Sequence, residues 1–284
     1  MQRSSTPGIC GWMVLVALLA PAAMSMRAAS APARAKTDRV LMEEMTMAEV
    51  RAAIAAGKTT VLIFNGSTEQ TGPHVVLGKH NFKARYLGQR IARELGNALV
   101  APVMPFAPTG AELMKFPGTI DLSPETFSKV NEEVAASLVK AGFKYVILMG
   151  DHGGNQDPLK ELAPRLDARY RPQGVRVLFS GDEYAKADAE IEAYLNAHGF
   201  PPSNHGGVAD TSELWAIGAA YVRPDKIAMG DPVKREGGNA TIGPTGVEGD
   251  PRRSSPALGK IFDDIKVKDG VADIRRLVAG ASTH

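Results

Sequence analysis

Cysteine is nearly missing from this chain: its one cysteine, Cys10, stands in an apolar stretch near the N-terminus. The rest of the chain has no thiol for a disulfide, for cysteine-ligated zinc or for a cysteine nucleophile. Also missing are a Gly-x-x-x-x-Gly-Lys phosphate loop and a Gly-x-Ser-x-Gly elbow, which weighs against kinase and α/β-hydrolase chemistry. Ser67 has no base beside it in sequence. Long apolar runs are absent except for Trp12–Leu19, which is too short to cross a bilayer as a helix.

That run follows Arg3 and precedes the small-residue sites Ala29-Ser-Ala31 and Ala33-Arg-Ala35, the three-part pattern of a secretory signal peptide. Residues 1–35 are expected to be such a signal, and 36–284 a single domain. The mature protein is expected to be exported, periplasmic or secreted, with no stable membrane insertion. Cleavage would remove Arg3, Arg27 and Arg34, taking the formal charge from +2 to −1. A near-neutral chain offers no electrostatic footprint for nucleic acid.

Beyond the signal, short apolar runs alternate with helical periodicity. A helix over Met45–Ala56 leads into a continuous β-branched run, Thr59–Phe64. Helices over Phe82–Leu95, Pro124–Ala141 and Pro158–Tyr170 precede strands at Ala98–Ala101, Tyr145–Met149 and Val175–Phe179. Runs that are apolar on both faces belong to a parallel sheet covered on both sides, so the expected class is α/β with a mostly parallel central sheet flanked by helices. Ligands of such sheets sit in the loops after the carboxyl ends of strands. Asn65–His80 and Gly150–Asn155 are two such loops.

Four of the six histidines, His74, His80, His152 and His205, lie in stretches rich in glycine, asparagine and aspartate. Imidazole with carboxylate at strand ends is the vocabulary of a metal site. Each residue also has a plainer reading. Glu69 could cap a turn, and Asp210 could be the N-cap of a helix over Leu214–Ala220. Gly153-Gly154-Asn155 could be a tight turn opening a helix. Trp215 reads as core, and His198 and His284 as surface.

The run from Gly66 to His80, G-S-T-E-Q-T-G-P-H-V-V-L-G-K-H, resembles the creatininase-family segment G-S-x-E-Q-H-G-P-H-L-P-L-G-T-D. Phe116–Ile120 is similar to F-P-G-T-I, Gly150–Asn155 to N-G-H-G-G-N, His205–Ser212 to H-A-G-x-x-E-T-S, and Gly246–Pro251 to G-V-x-G-D-P. The resemblance implies a hydrolase of carbon–nitrogen amide bonds in small molecules, with one or two divalent metals. It also implies a homo-oligomer.

Carried over residue by residue, it implies Glu69, His152 and Asp210 as metal ligands, the last a shorter carboxylate than the family's. Thr71 stands where the family has a ligand histidine, and His80 where it has an aspartate. The ligand set implied here is Glu69, His80, His152 and Asp210, with His205 as general acid and base. One tight ion is expected, zinc ahead of manganese, because an imidazole does not bridge two metals as a carboxylate does. Asp151 is a candidate partner for an imidazole, and His74 a candidate hydrogen-bonding neighbour. The same departures leave open a pseudoenzyme or solute-binding protein on this fold, and a third reading is a peptidase of short peptides.

Overall fold

The computed structural model describes residues 39–233, 235–236, 239–240 and 242–281. The expected signal peptide, Cys10 and His284 lie outside the described residues.

Four parallel strands form the sheet, in the order β2 (Ala98–Val100), β1 (Thr60–Asn65), β3 (Tyr145–Gly150) and β4 (Arg176–Phe179). Residues of β1 alternate between two apolar layers. Val61 and Ile63 face α3 (Pro124–Ala141) and α4 (Gly153–Tyr170) through Phe127, Leu138, Leu159 and Leu162. Leu62 and Phe64 meet Leu87 and Ile91 of α2 (Lys79–Leu95) together with Val267 and Val271 of α7 (Pro256–Ala281). With both faces covered, every position of β1 is buried, and each large apolar side chain contributes roughly 1.5–3 kcal/mol by leaving water. α1 (Met47–Ala55) begins with a capping box between Thr46 and Glu49. A third apolar group joins α5 (Ala185–Ala197), α6 (Val208–Ile217) and α7 around Ile191, Val208 and Phe262.

The chain leaves β1 for β2 on one side and reaches β3 on the other, so the switch point of the sheet lies between β1 and β3. Their register ends with Asn65 opposite Gly150, and Asp151 N–H donates to Asn65 O at 3.0 Å. The loops after these strands therefore start side by side. This is where the sequence motifs converge.

Two expectations are corrected here. The second helix starts at Lys79, so His80 lies in its first turn and not in the preceding loop. The fourth helix starts at Gly153, five residues before Pro158. His152 Nδ1 accepts the Gly154 N–H at 3.1 Å, and Asn155 Oδ1 accepts the His152 N–H at 2.9 Å. This reciprocal cap lets the helix begin before its prolines. α5 and α7 have no counterpart in the periodicity reading.

Candidate metal centre

Glu69 is the hub. Its Oε1 lies 2.9 Å from His80 Nε2, and its Oε2 lies 2.8 Å from His152 Nε2. Ligand atoms of Glu69, His80 and His152 all fall within 4.8 Å of one another, the one such group of metal-ligating side chains among the described residues. Glu69 comes from the loop after β1, His152 caps α4 after β3, and His80 enters from the first turn of α2. Burial alone would raise the Glu69 carboxyl, but the facing imidazoles His152 and His80 hold it well below the ordinary carboxylate range. A carboxylate held ionised out of water beside two imidazoles is a donor set suited to a divalent cation.

The surroundings fit that use. Glu69 Oε2 is buried and faces His152 Nε2 at 2.8 Å, the ring nitrogen that carries the proton when Nδ1 accepts the Gly154 N–H. His80 Nδ1–H donates to Asp151 Oδ2 at 2.6 Å, the carboxylate–histidine arrangement that turns a metal-binding imidazole and fixes its tautomer. Burial and the charge of Lys79 pull the His80 pKa down, but the Glu69 and Asp151 carboxylates raise it overall.

Asp210 is not in the group of three. Its Oδ2 takes Lys79 Nζ at 2.6 Å and the Gly206 N–H at 3.0 Å, and its Oδ1 lies 4.0 Å from Lys83 Nζ. Burial would raise this carboxyl, and Lys79 and Lys83 instead hold it far below the ordinary range. Asp210 sits within α6, whose N-cap is Gly207. Lys83 also contacts Glu213 and Asp151. Burial disfavours its charge, yet these carboxylates hold its pKa well above the ordinary value.

His205 stands beside the cluster. Its Nε2–H donates to Gln70 O at 2.8 Å, which leaves the Nδ1 lone pair 3.8 Å from Glu69 Oε1. Burial, reinforced by Lys79, pushes its pKa down to about 4, so the ring is neutral near pH 7. Glu248 holds the backbone behind it: its N–H donates to His205 O at 2.8 Å, and its Oε2 accepts from Asn204 Nδ2 at 2.9 Å. That places the Gly246–Pro251 motif as the support of His205. The Phe116–Ile120 motif lies along the Glu69 loop, where Thr119 Oγ1 accepts the Gln70 N–H and Ile120 N–H donates to Thr68 O. His74 is not in the group of three and is bonded to Thr211 Oγ1 at 2.8 Å. His198 is an exposed residue stacked on Tyr194, and Trp215 is half-buried.

The sequence reading missed Lys79, Lys83, Glu213 and Gln70. A signal was present: Lys79 and Lys83 are four apart on α2, and Asp210 and Glu213 three apart on α6. Each pair puts like charges on one helical face, which is unfavourable unless an opposite face meets it.

The family model described as "Creatinine amidohydrolase" matches residues 43–274. The chain belongs to the creatininase family. It is a metal-dependent amidohydrolase of that family, and it is 29% identical over 237 residues to the mycofactocin precursor peptide peptidase of Mycobacterium ulcerans (strain Agy99), covering 78% of this chain and 86% of the relative. Its fold is similar to that of a solved "Creatininase Mn", with a TM-score of 0.73 at 22% identity over 84% of this chain and 98% of the other. A mutant creatininase described as "Zn-Zn type" gives 0.72 at 23% identity over the same shares.

Proposed function

We propose that this creatininase-family chain hydrolyses the carbon–nitrogen bond of a small cyclic or linear amide, using one divalent ion, zinc ahead of manganese, held by Glu69, His80 and His152. The observation that carries this reading is the convergence of ligand atoms of those three side chains within 4.8 Å of one another around a buried, ionised carboxylate. Relatives whose descriptions name manganese and zinc support the ion class. Bound there, the ion supplies positive charge for the scissile carbonyl and acidifies water.

The chain's own residues supply the rest. Asp151 orients His80 through Nδ1, and Glu69 keeps its negative charge at the working pH. His205, neutral and with its Nδ1 lone pair toward Glu69, takes a proton from the attacking water and returns it to the leaving nitrogen. That transfer is needed because an amide anion is a very poor leaving group, and a positioned histidine contributes roughly 10²–10⁴-fold. Asp210 serves the site through Lys79 and Lys83 and not as a ligand. A pseudoenzyme is disfavoured because the ligand set is rearranged and not eroded: an imidazole is lost at Thr71, and another enters at His80.

A short peptide is the second reading, and two observations favour it. A similar relative is described as a peptide peptidase. The backbone of Thr68 and Glu69 is flanked by the exposed apolar side chains Ile120 and Leu77, whose backbones bond to it, and such side chains suit an apolar residue of a substrate. A screen of cyclic amides, linear amides and dipeptides against metal-loaded protein separates the two readings. Turnover of no amide in any class would overturn both.

The N-terminal pattern of residues 1–35 supports export, with the protein acting outside the cytoplasm, and the family likeness supports a homo-oligomer. Determining the N-terminus of the mature protein and its mass in solution tests these two points. Among the described residues, no helix is long and apolar enough to cross a membrane.

A further inference from the structure

We propose that the Tyr184 hydroxyl is a substrate-binding group of this site, which donates a hydrogen bond to an oxygen of the bound amide from the loop that follows β4. The inference rests on the reading that Glu69, His80 and His152 hold the ion at which that amide is hydrolysed.

Loops after the carboxyl ends of parallel strands share one edge of the sheet. Those after β1 and β3 carry Glu69 and His152, and β4 is the neighbour of β3. The loop after β4 begins with Ser180, whose N–H donates to Leu148 O of β3 at 3.0 Å. Asp273 of α7 then fixes this loop: its Oδ2 accepts Ser180 Oγ–H at 2.7 Å and the Gly181 N–H at 3.2 Å. Tyr184 N–H donates to Gly181 O at 3.1 Å, and Lys266 Nζ lies 5.7 Å from the centre of the Tyr184 ring. Lys266 is itself buried and held by Asp188 at 2.7 Å. Both the backbone and the ring of Tyr184 are therefore held in place.

The hydroxyl ends at the residue after His152. A Cβ built on Gly153 would come 3.1 Å from the Tyr184 hydroxyl oxygen, so the hydroxyl takes up room that a side chain at the first position of α4 would need. Gly153 is helical and has no positive φ. Its backbone is open to every residue, and the contact with Tyr184 is what favours glycine there.

The proton of this hydroxyl is free for a ligand. Around the cluster, Lys79 donates to Asp210, Lys83 to Glu213, His80 Nδ1–H to Asp151 and His205 Nε2–H to Gln70 O. Among the described residues, the half-buried Tyr184 hydroxyl has no such acceptor. Burial, with the Asp188 carboxylate adding to it and Lys266 opposing, raises its pKa well above the ordinary tyrosine value, and Asp151 and Asp210 are close enough to add to the rise. The group therefore stays protonated in the neutral range and is available as a donor. An amide oxygen gains negative charge as water adds to the carbonyl, and a hydrogen bond to a charged acceptor is stronger than one to a neutral acceptor.

The test compares zinc-loaded wild type and Tyr184→Phe by calorimetry with two probes. Acetohydroxamate binds zinc through oxygen, whereas ethanethiol binds it through sulfur and offers no oxygen acceptor. Tyr184→Phe keeps the ring beside Lys266, so its circular dichroism and its zinc content should match wild type. It should bind acetohydroxamate roughly tenfold more weakly and ethanethiol as tightly. Acetohydroxamate bound no more tightly by wild type than by Tyr184→Phe would overturn the contact and leave the three-ligand reading standing. Equal weakening of both probes, or loss of zinc or of the fold in Tyr184→Phe, would make Tyr184 a structural residue and overturn the contact as well. A wild type that holds no zinc would overturn both readings.

Discussion

Asp151 Oδ2 accepts the His80 Nδ1–H at 2.6 Å, while His80 Nε2 lies 2.9 Å from Glu69. One imidazole thus joins the strand-end aspartate of β3 to the strand-end glutamate of β1, and α2 delivers it between the two loops. Asp151 is therefore a positioning residue. Asp151→Asn should weaken zinc binding roughly 10–100-fold while the fold persists. Chelator competition with circular dichroism as a control checks this, and unchanged affinity would contradict it.

His205 should separate chemistry from metal binding. His205→Gln is expected to keep the metal content of wild type and to lower kcat by roughly 10²–10⁴-fold. Turnover of any accepted amide, with elemental analysis in parallel, gives both readouts. A variant that loses its ion would make His205 a ligand instead.

Gly154 is fixed by a close crossing of the backbone. A Cβ built there would come 1.7 Å from Pro108 O, a backbone atom that cannot swing aside. Gly154→Ala should destabilise the protein by about 1–3 kcal/mol and disturb the His152 cap, read as a lower Tm and weaker metal binding. A wild-type Tm would show that the Pro108 segment yields freely.

Asp263, which is not one of the three ligands, gives a pH dependence of stability. It is fully buried on α7, and neither carboxylate oxygen has a hydrogen-bond partner. Burial, with the Glu213 carboxylate adding to it, pushes its pKa from 3.8 up to about 8. A group whose pKa rises on folding favours the fold fully below 3.8, and that contribution falls as pH climbs to about 8. Asp263→Asn removes this dependence, so its Tm relative to wild type should increase from pH 5 to pH 8. A constant difference across that range would contradict the assignment.

The legibility of this fold varied with what buries each segment. β1 and β3 were readable because both faces are apolar, which leaves short continuous runs such as Val61–Phe64 and Val146–Met149. The site loops were readable because histidines and carboxylates collect at their ends. α7 was not, because its buried face carries Asp263, Lys266, Asp269 and Asp273 among its apolar residues. That mixture has the composition of a solvated surface and is stable inside only through ion pairs such as Lys266 with Asp188 at 2.7 Å. The placement of Asp210 was hidden for a related reason. Its lysine partners are 131 and 127 residues earlier in the chain, and the like-charge spacing within α2 and within α6 shows that each needs an opposite face, not that they supply it to each other.

The ligands themselves should respond in kind. His152→Ala and His80→Ala are each expected to lower zinc affinity by roughly 100-fold or more, since each removes one of three protein ligands. Chelator competition measures it. A variant that holds zinc as well as wild type would remove that residue from the set.

The central claim is a metal held by Glu69, His80 and His152, and its most direct test is elemental analysis of untagged protein purified without added chelator. The expected result is about one zinc or manganese per chain. Less than about a tenth of an ion per chain, with no gain after dialysis against either metal, would contradict it.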